Sequence, residues 1–249
     1  MKVKILFLGC RAPSPTINGF TSIAILVNGE VILLDAGEGT QKHLTLAKLS
    51  LGRINKIFIT HLHGDHVLGL VPLMESRSLI GIQKELFIYG PLGIKEYVEK
   101  NLELLKFTPT YKYDVVEGIT LRVEGSKYVV ETFPVNHSVA TLGVKVRTTN
   151  HLIVYSSDTT PCDTLIRNAT NADVLIHDST YSYIDSDKAQ NYMHSTSIDA
   201  ANTALLSNAK MLVLTHISTR YKDVSRLERE AKAKFFNTLL AEELMTIYL

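Results

Sequence analysis

Thr60-His61-Leu62-His63-Gly64-Asp65-His66 sets three imidazoles and one carboxylate within six consecutive residues, from His61 to His66. Imidazole and carboxylate together are the donor mixture that borderline divalent metals such as Zn2+ take. His61 and His63, two residues apart, point the same way off an extended segment. Gly64 then lets the chain turn, so that Asp65 and His66 come back toward them. The geometry suits two ions side by side, one held mainly by the first histidine pair and the other by the Asp65–His66 pair. A surface turn that is histidine-rich by chance is the plainer alternative, but crowded imidazoles have little other purpose in so short a stretch.

The elements that must present these side chains are visible around them. Ile54-Asn55-Lys56-Ile57-Phe58-Ile59 reads as a buried strand from its β-branched and aromatic content, and the cluster follows its C-terminal end. Three further candidates follow apolar strands in the same way. Asp158 comes after Leu152-Ile153-Val154-Tyr155-Ser156-Ser157, His216 after Met211-Leu212-Val213-Leu214-Thr215, and His137 after Val129-Val130-Glu131-Thr132-Phe133-Pro134-Val135-Asn136. Each alone reads equally well as a structural histidine or a capping aspartate. Repetition of the pattern beside the His61 cluster favours convergence on metal, because rigid sheets mount binding groups on the loops at their ends. The Asp158 carboxylate can bridge two ions.

On these residues the chain resembles the metallo-β-lactamase superfamily and, within it, the ribonuclease Z family of tRNA 3′-processing endonucleases. Leu33-Leu34-Asp35-Ala36-Gly37-Glu38-Gly39-Thr40-Gln41 is similar to the family's first motif and the histidine cluster to its second. His137, Asp158 and His216 fall where the third, fourth and fifth belong. Three segments carry the likeness toward phosphodiester chemistry: His177-Asp178-Ser179-Thr180 resembles the HEAT loop, His194-Ser195-Thr196 the HST loop, and His216-Ile217-Ser218-Thr219-Arg220-Tyr221 the HxSxRY ending.

The resemblance implies His61, His63 and His137 on one zinc, Asp65, His66 and His216 on the other, and Asp158 bridging both. Two divalent charges would lower the pKa of a shared water enough to supply hydroxide near neutral pH, with Asp65 orienting or deprotonating it. Mn2+ is an alternative metal. His194, oriented by Asp178, would donate a proton to the leaving oxygen. The family usually has Glu where Asp178 stands, so a slightly longer pair is expected here. Arg220 offers a planar fork for a phosphate. Asp35 reads as a buttress that orients a metal ligand rather than as a ligand. Precursor tRNA is the implied substrate and a homodimer the implied assembly, for which Val67-Leu68-Gly69-Leu70-Val71-Pro72-Leu73-Met74 offers an apolar helix.

Two departures from the family bear on substrate. Only 20 residues separate His137 from Asp158, enough for two strands and a turn at Thr148-Thr149-Asn150. Many ribonucleases Z carry there a long arm, rich in Gly, Pro and Lys, that grips the tRNA elbow. Near the N-terminus, Gly9-Cys10-Arg11-Ala12-Pro13-Ser14-Pro15-Thr16-Ile17-Asn18 has Pro15 in place of the lysine of the family's P-x-K-x-x-N loop.

Composition bounds the partners. With 26 Lys+Arg against 25 Asp+Glu, the net charge of +1 supplies no general field for a polyanion. RNA binding must be local, and two groups of basic residues stand out: Lys95, Lys100, Lys106 and Lys112, then Arg220, Lys222, Arg226 and Arg229. Charge on helix faces more often serves solvation. Only Cys10 and Cys162 occur, too few for a disulfide framework or a zinc ribbon. No apolar run approaches the roughly 20 residues of a membrane span, and no signal-peptide profile precedes Lys2-Val3-Lys4-Ile5-Leu6-Phe7, so a cytoplasmic protein is expected. His43 and His151 lie outside every motif and read as ordinary surface histidines.

At 249 residues and 45% hydrophobic, the chain suffices for one domain, 1–249, with a substantial core. The patterning predicts strands near 3–8, 21–27, 31–35, 54–60 and 85–89 alternating with helices near 39–50, 66–79 and 91–105. A second strand group spans about 111–156. A helix near 161–169, a strand at 173–177, a helix at 197–207, a strand at 210–215, a helix near 223–236 and a strand at 243–248 complete the order. An α/β fold, the αβ/βα four-layer sandwich of two sheets flanked by helices, accommodates it. Three functions fit: a zinc-dependent endoribonuclease acting on tRNA 3′ ends, a phosphodiesterase for small or cyclic phosphodiesters, and a non-catalytic RNA-binding relative. The full ligand set and the family-specific segments favour the first.

Overall fold

A computed structural model of the chain describes residues 2–14 and 18–249. Among them the strands build two seven-stranded mixed sheets with helices packed on them, the metallo-β-lactamase fold. Pro15 lies outside the described residues. The chain divides into two units, and the second is inserted into the first.

The first unit comprises Met1–Gly9, Ile17–Gly118 and Glu242–Leu249. Its strands β1 (Val3–Gly9), β2 (Ser22–Val27) and β3 (Glu30–Leu34) form an antiparallel meander. Parallel strands β4 (Ile54–Phe58), β5 (Leu86–Gly90) and β6 (Tyr113–Glu117) follow, and the C-terminal strand Thr246–Tyr248 covers the outer edge of β1. Near-continuous apolar runs such as Glu30–Leu34 suit strands covered on both faces. Helices α1 (Thr40–Leu46), α2 (Gly64–Val67), α3 (Leu70–Leu79) and α4 (Ile94–Leu104) provide part of that cover, with Leu44, Leu70, Leu73 and Met74 packed among Leu33, Ile57 and Ile88.

Three expectations change here. The helix expected over 66–79 breaks at Gly69, whose backbone comes so close to Gly37 that a Cβ would stand 2.1 Å from the Gly37 carbonyl oxygen. The stretch Val67–Met74 is not a free apolar face: Val67, Leu70, Val71, Leu73 and Met74 are buried in the core, leaving Leu68 exposed. His43 is not a surface histidine. It is buried, its Nδ1 lies 2.9 Å from the Gly39 carbonyl and its Nε2 3.3 Å from Glu243, whose carboxylate also accepts the Gly19 N–H. A histidine there fastens α1 to the C-terminal segment.

The second unit comprises Cys10–Thr16 and Ile119–Ala241 and repeats the antiparallel-then-parallel order. Strands β7 (Arg122–Gly125), β8 (Tyr128–Val135), β9 (Thr141–Thr148) and β10 (Leu152–Tyr155) are antiparallel. Strands β11 (Val174–Asp178), β12 (Leu212–Thr215) and β13 (Thr238–Leu240) continue from β10 in parallel. The helices are α5 (Asp163–Asn168), α6 (Ser186–Asn191), α7 (Ser197–Leu206) and α8 (Ser225–Lys232). A capping box between Thr196 and Asp199 starts α7, and its Ala200, Ala201 and Ala204 pack in one core with Leu212 and Leu214 of β12. The strand group expected over 111–156 is divided: Tyr113–Glu117 pairs in the first sheet, the rest in the second. Between His137 and Asp158 there are β9, a tight turn and β10.

Candidate metal centre

In the first unit the chemistry gathers where the parallel strands end. Leu34 pairs with Phe58, so Asp35 and Thr60 leave neighbouring strands at nearly the same level. Asp35 is fully buried and held in the left-handed region at φ 58°. Its carboxylate accepts the Thr60 N–H at 2.7 Å, the Thr60 hydroxyl at 3.0 Å and His66 Nδ1 at 2.8 Å. The Thr60 hydroxyl has one proton and donates it to Asp35. His61 Nδ1, 3.0 Å from the same oxygen, therefore donates to it. Both histidines are thereby fixed with a proton on Nδ1 and a lone pair on Nε2.

The second unit repeats this wiring. Tyr155 pairs with Ile176 and Asp178 with Thr215, so Asp158, Asp178 and His216 come off adjacent strand ends. Asp178 is fully buried; its Oδ1 accepts the Thr180 N–H at 2.9 Å and hydroxyl at 2.7 Å, and its Oδ2 accepts the Thr159 N–H at 3.1 Å and His194 Nδ1 at 2.8 Å. His216 Nδ1 lies 2.7 Å from the Thr180 hydroxyl oxygen and donates to it. His137 Nδ1 donates to the Met193 carbonyl at 2.8 Å. Each buried aspartate thus orients one histidine directly and one through a threonine. The Asp178–His194 pair is of ordinary length, not longer as the glutamate-to-aspartate difference suggested.

The remaining donor atoms are spaced as ligands are. Two atoms each about 2.0–2.1 Å from a tetrahedral ion stand about 3.3 Å apart. His61 Nε2 and His63 Nδ1 are 3.1 Å apart, and Asp65 Oδ2 and His66 Nε2 are 3.4 Å apart. In the second unit Asp158 Oδ2 is 3.3 Å from His216 Nε2 and 3.9 Å from His137 Nε2. His61, His66, His137 and His216, whose Nδ1 atoms are engaged by a hydroxyl, carboxylate or carbonyl, leave Nε2 for the ion, the usual outer-shell arrangement of a metal-ligating histidine. Burial pushes the His137 pKa down against the nearby Asp158 charge, which favours the neutral, ligating form. Burial pushes Asp178 up, but His194, by charge and hydrogen bond, holds it below the usual carboxylate range. The donor set is therefore that of a divalent metal centre.

Strained backbone accompanies these positions: Asp35, Ser157, Met193 and His216 all have φ between 55° and 58°. A left-handed residue costs about 1–2 kcal/mol and survives where its surroundings over-determine it. Arg220 is exposed, with its guanidinium 4.7 Å over the Tyr181 ring and Nε 3.0 Å from the Ser218 hydroxyl. Half of the eight basic residues singled out in the sequence are engaged in surface ion pairs: Lys95 with Glu99, Lys100 with Glu96, Arg226 with Glu230 and Arg229 with Asp223. Arg11 forms a backbone bridge with Ile217, next to His216.

Several participants were not read from the sequence. Thr60 and Thr180 sit inside quoted motifs, yet nothing in their type announced a relay. Met193 acts through its carbonyl, which no side chain betrays. Glu230 accepts Ser182 Oγ at 2.6 Å, the Tyr183 N–H at 3.0 Å and Ser197 Oγ at 2.7 Å, tying α8 to the loop after Thr180 and to the start of α7.

Residues 30–217 match the β-lactamase superfamily domain. The chain is 35% identical to a ribonuclease Z of Methanothermobacter thermautotrophicus, over 98% of this chain and 96% of that protein, and 32% identical to one of Ignicoccus hospitalis over the same shares. The first alignment runs over 296 positions against a chain of 249, so at least 47 of them have no counterpart here. The crystal structure of human tRNase Z, short form, superposes with a TM-score of 0.86 at 31% identity, covering 98% of each chain.

Proposed function

The chain belongs to the ribonuclease Z family of the β-lactamase superfamily, and from this premise we propose that it is a zinc-dependent endoribonuclease acting on the 3′ ends of precursor tRNA. His61, His63 and His137 would hold one Zn2+, Asp65, His66 and His216 the second, and Asp158 would bridge them. Two such ions, when bound, supply a water acidified to near neutral pH and a charge clamp for the phosphate. Asp65 would orient that water. His194, held by Asp178, would give its Nε2 proton to the leaving alkoxide, and the five hydrogen bonds into Asp178, two from Thr180 and one each from Thr159, His194 and Ser195, keep it anionic as the imidazolium's partner. Arg220, extended over Tyr181, would take a non-bridging phosphate oxygen.

The observation that carries this reading is the Asp178–His194 pair beside the ligands. An alkoxide is a poor leaving group, and a proton donor beside a hydrolytic metal centre answers that need. The short β9–β10 connection favours a second reading, hydrolysis of small or cyclic phosphodiesters. Among the described residues no helix is long and apolar enough to cross a membrane; a cytoplasmic setting and a homodimer belong to the same proposal, the dimer using a face other than the buried side of α3.

The test compares a precursor tRNA, a cyclic dinucleotide and bis(p-nitrophenyl) phosphate as substrates, with zinc or manganese, and maps the cut. Single-site cleavage at the tRNA 3′ end is expected; hydrolysis of the small esters alone would favour the second reading. Metal analysis should give two ions per chain, and Asp158→Ala should lose metal and activity together, because two facing cations are then left without their shared anion. Two tightly held ions in that variant would refute the bridge.

A further inference from the structure

The second unit carries a cavity of about 500 Å3 whose wall includes His194 together with Thr160, Pro161, Gln190, Met193 and Asp199. Its size falls within the roughly 300–1,000 Å3 of small-molecule sites. One side is formed by α6, a helix with no part in the reading above.

We propose that this cavity is a nucleobase subsite, taking the base of the nucleoside whose oxygen leaves. The inference rests on His194 as proton donor. A donor must come within about 2.6–3.2 Å of the oxygen it protonates, so the sugar bearing that oxygen lies against His194, and its base enters the adjoining space. The lining suits a base. Pro161 and Met193 offer apolar surface to its faces, while the Gln190 amide and the Thr160 hydroxyl offer donors and acceptors to its edge. Asp199 decides against a phosphate. Its Oδ2 accepts the Thr196 N–H and hydroxyl, which leaves Oδ1 as an anionic acceptor. A carboxylate in the wall repels a phosphate and accepts from an amino or ring N–H of a base edge. Met193 joins the subsite to the metal centre, since its carbonyl orients His137.

The experiment uses the metal-loaded protein and a precursor RNA carrying either a natural or an abasic nucleotide on the leaving side of the cut, and separately on the other side. Wild type should lose about tenfold or more in kcat/KM with the leaving-side abasic site. Gln190→Ala and Thr160→Val should lose a comparable factor on the intact RNA, become nearly indifferent to that abasic site, and fall much less on bis(p-nitrophenyl) phosphate, which has no base. Full-rate cleavage of the leaving-side abasic RNA by wild type would overturn the subsite, as would wild-type base dependence in both variants. A parallel fall on the nitrophenyl ester would mean that the variants merely loosen His194, and would overturn it too. If wild type hydrolysed the ester but did not cut intact RNA, the ribonuclease reading would fail and the subsite with it, an outcome recognised on the intact RNA alone.

Discussion

His194 and His216 stack with ring centroids 5.1 Å apart and share one buried carboxylate, yet they are wired for different tasks. Asp178 touches His194 directly and reaches His216 through Thr180. Substitutions should separate the two. His194→Ala should lower turnover of RNA about 10²–10⁴-fold with metal content unchanged, and the loss should shrink for a nitrophenyl ester whose leaving group needs little protonation. Asp178→Asn should lower turnover and also weaken metal binding by about 10–100-fold, because it disturbs the support of His216. Metal titration beside single-turnover kinetics checks both; equal losses from His194→Ala on the two substrates would remove it as the acid. At this scale the sequence is most legible where chemistry needs a rare side chain, as at His61 or Asp158. It is silent where the work falls to a common hydroxyl such as Thr180 or to a backbone carbonyl such as that of Met193.

Strand ends deliver the acidic and imidazole groups, and the loops on either side of α6 hold the rest in register. Glu230 is the chief fastener of those loops. Burial raises its pKa, but hydrogen bonds from Ser182 and Ser197 outweigh this and hold it below the usual glutamate value. A carboxylate depressed in the folded state contributes stability that is present above its unfolded pKa and lost as pH falls through the folded one. Glu230→Gln should therefore cost about 1–3 kcal/mol at pH 7, and the difference from wild type should fade as pH falls below the ordinary glutamate range. Urea unfolding at several pH values measures this, and a pH-independent difference would assign the loss to packing. The long apolar strands were readable because burial imposes composition. Helix α6 was not, since only Ala189 among its side chains is buried and no apolar period results. Strand β13, Thr238–Leu240, is too short for a pattern and exists by pairing with β12.

Charge is dispersed over the whole molecule rather than gathered into an arm, and much of it is engaged in local pairs such as Lys232–Glu228. Substrate grip should then involve few phosphates. Since each phosphate neutralised contributes about −0.7 to −0.9 to the slope of log affinity against log salt, that slope for precursor tRNA should be no steeper than about −3. A slope near −6, from filter binding over a salt series, would instead mean that a broad basic surface grips the RNA. The element order accommodated the two-sheet fold that the family resemblance implied, but the division between sheets could not be read, because β6 and β7 are neighbours in sequence and partners in different sheets. A second discontinuity bears on solubility. The outer partner of β1 is the strand Thr246–Tyr248, far from it in sequence, with Lys4 opposite Tyr248, Ile5 opposite Ile247 and Leu6 opposite Thr246. Without that partner an apolar strand has an open edge, the kind that templates chain-to-chain pairing. Removing Thr246–Tyr248 would expose it, so three residues that supply no ligand guard solubility as much as shape.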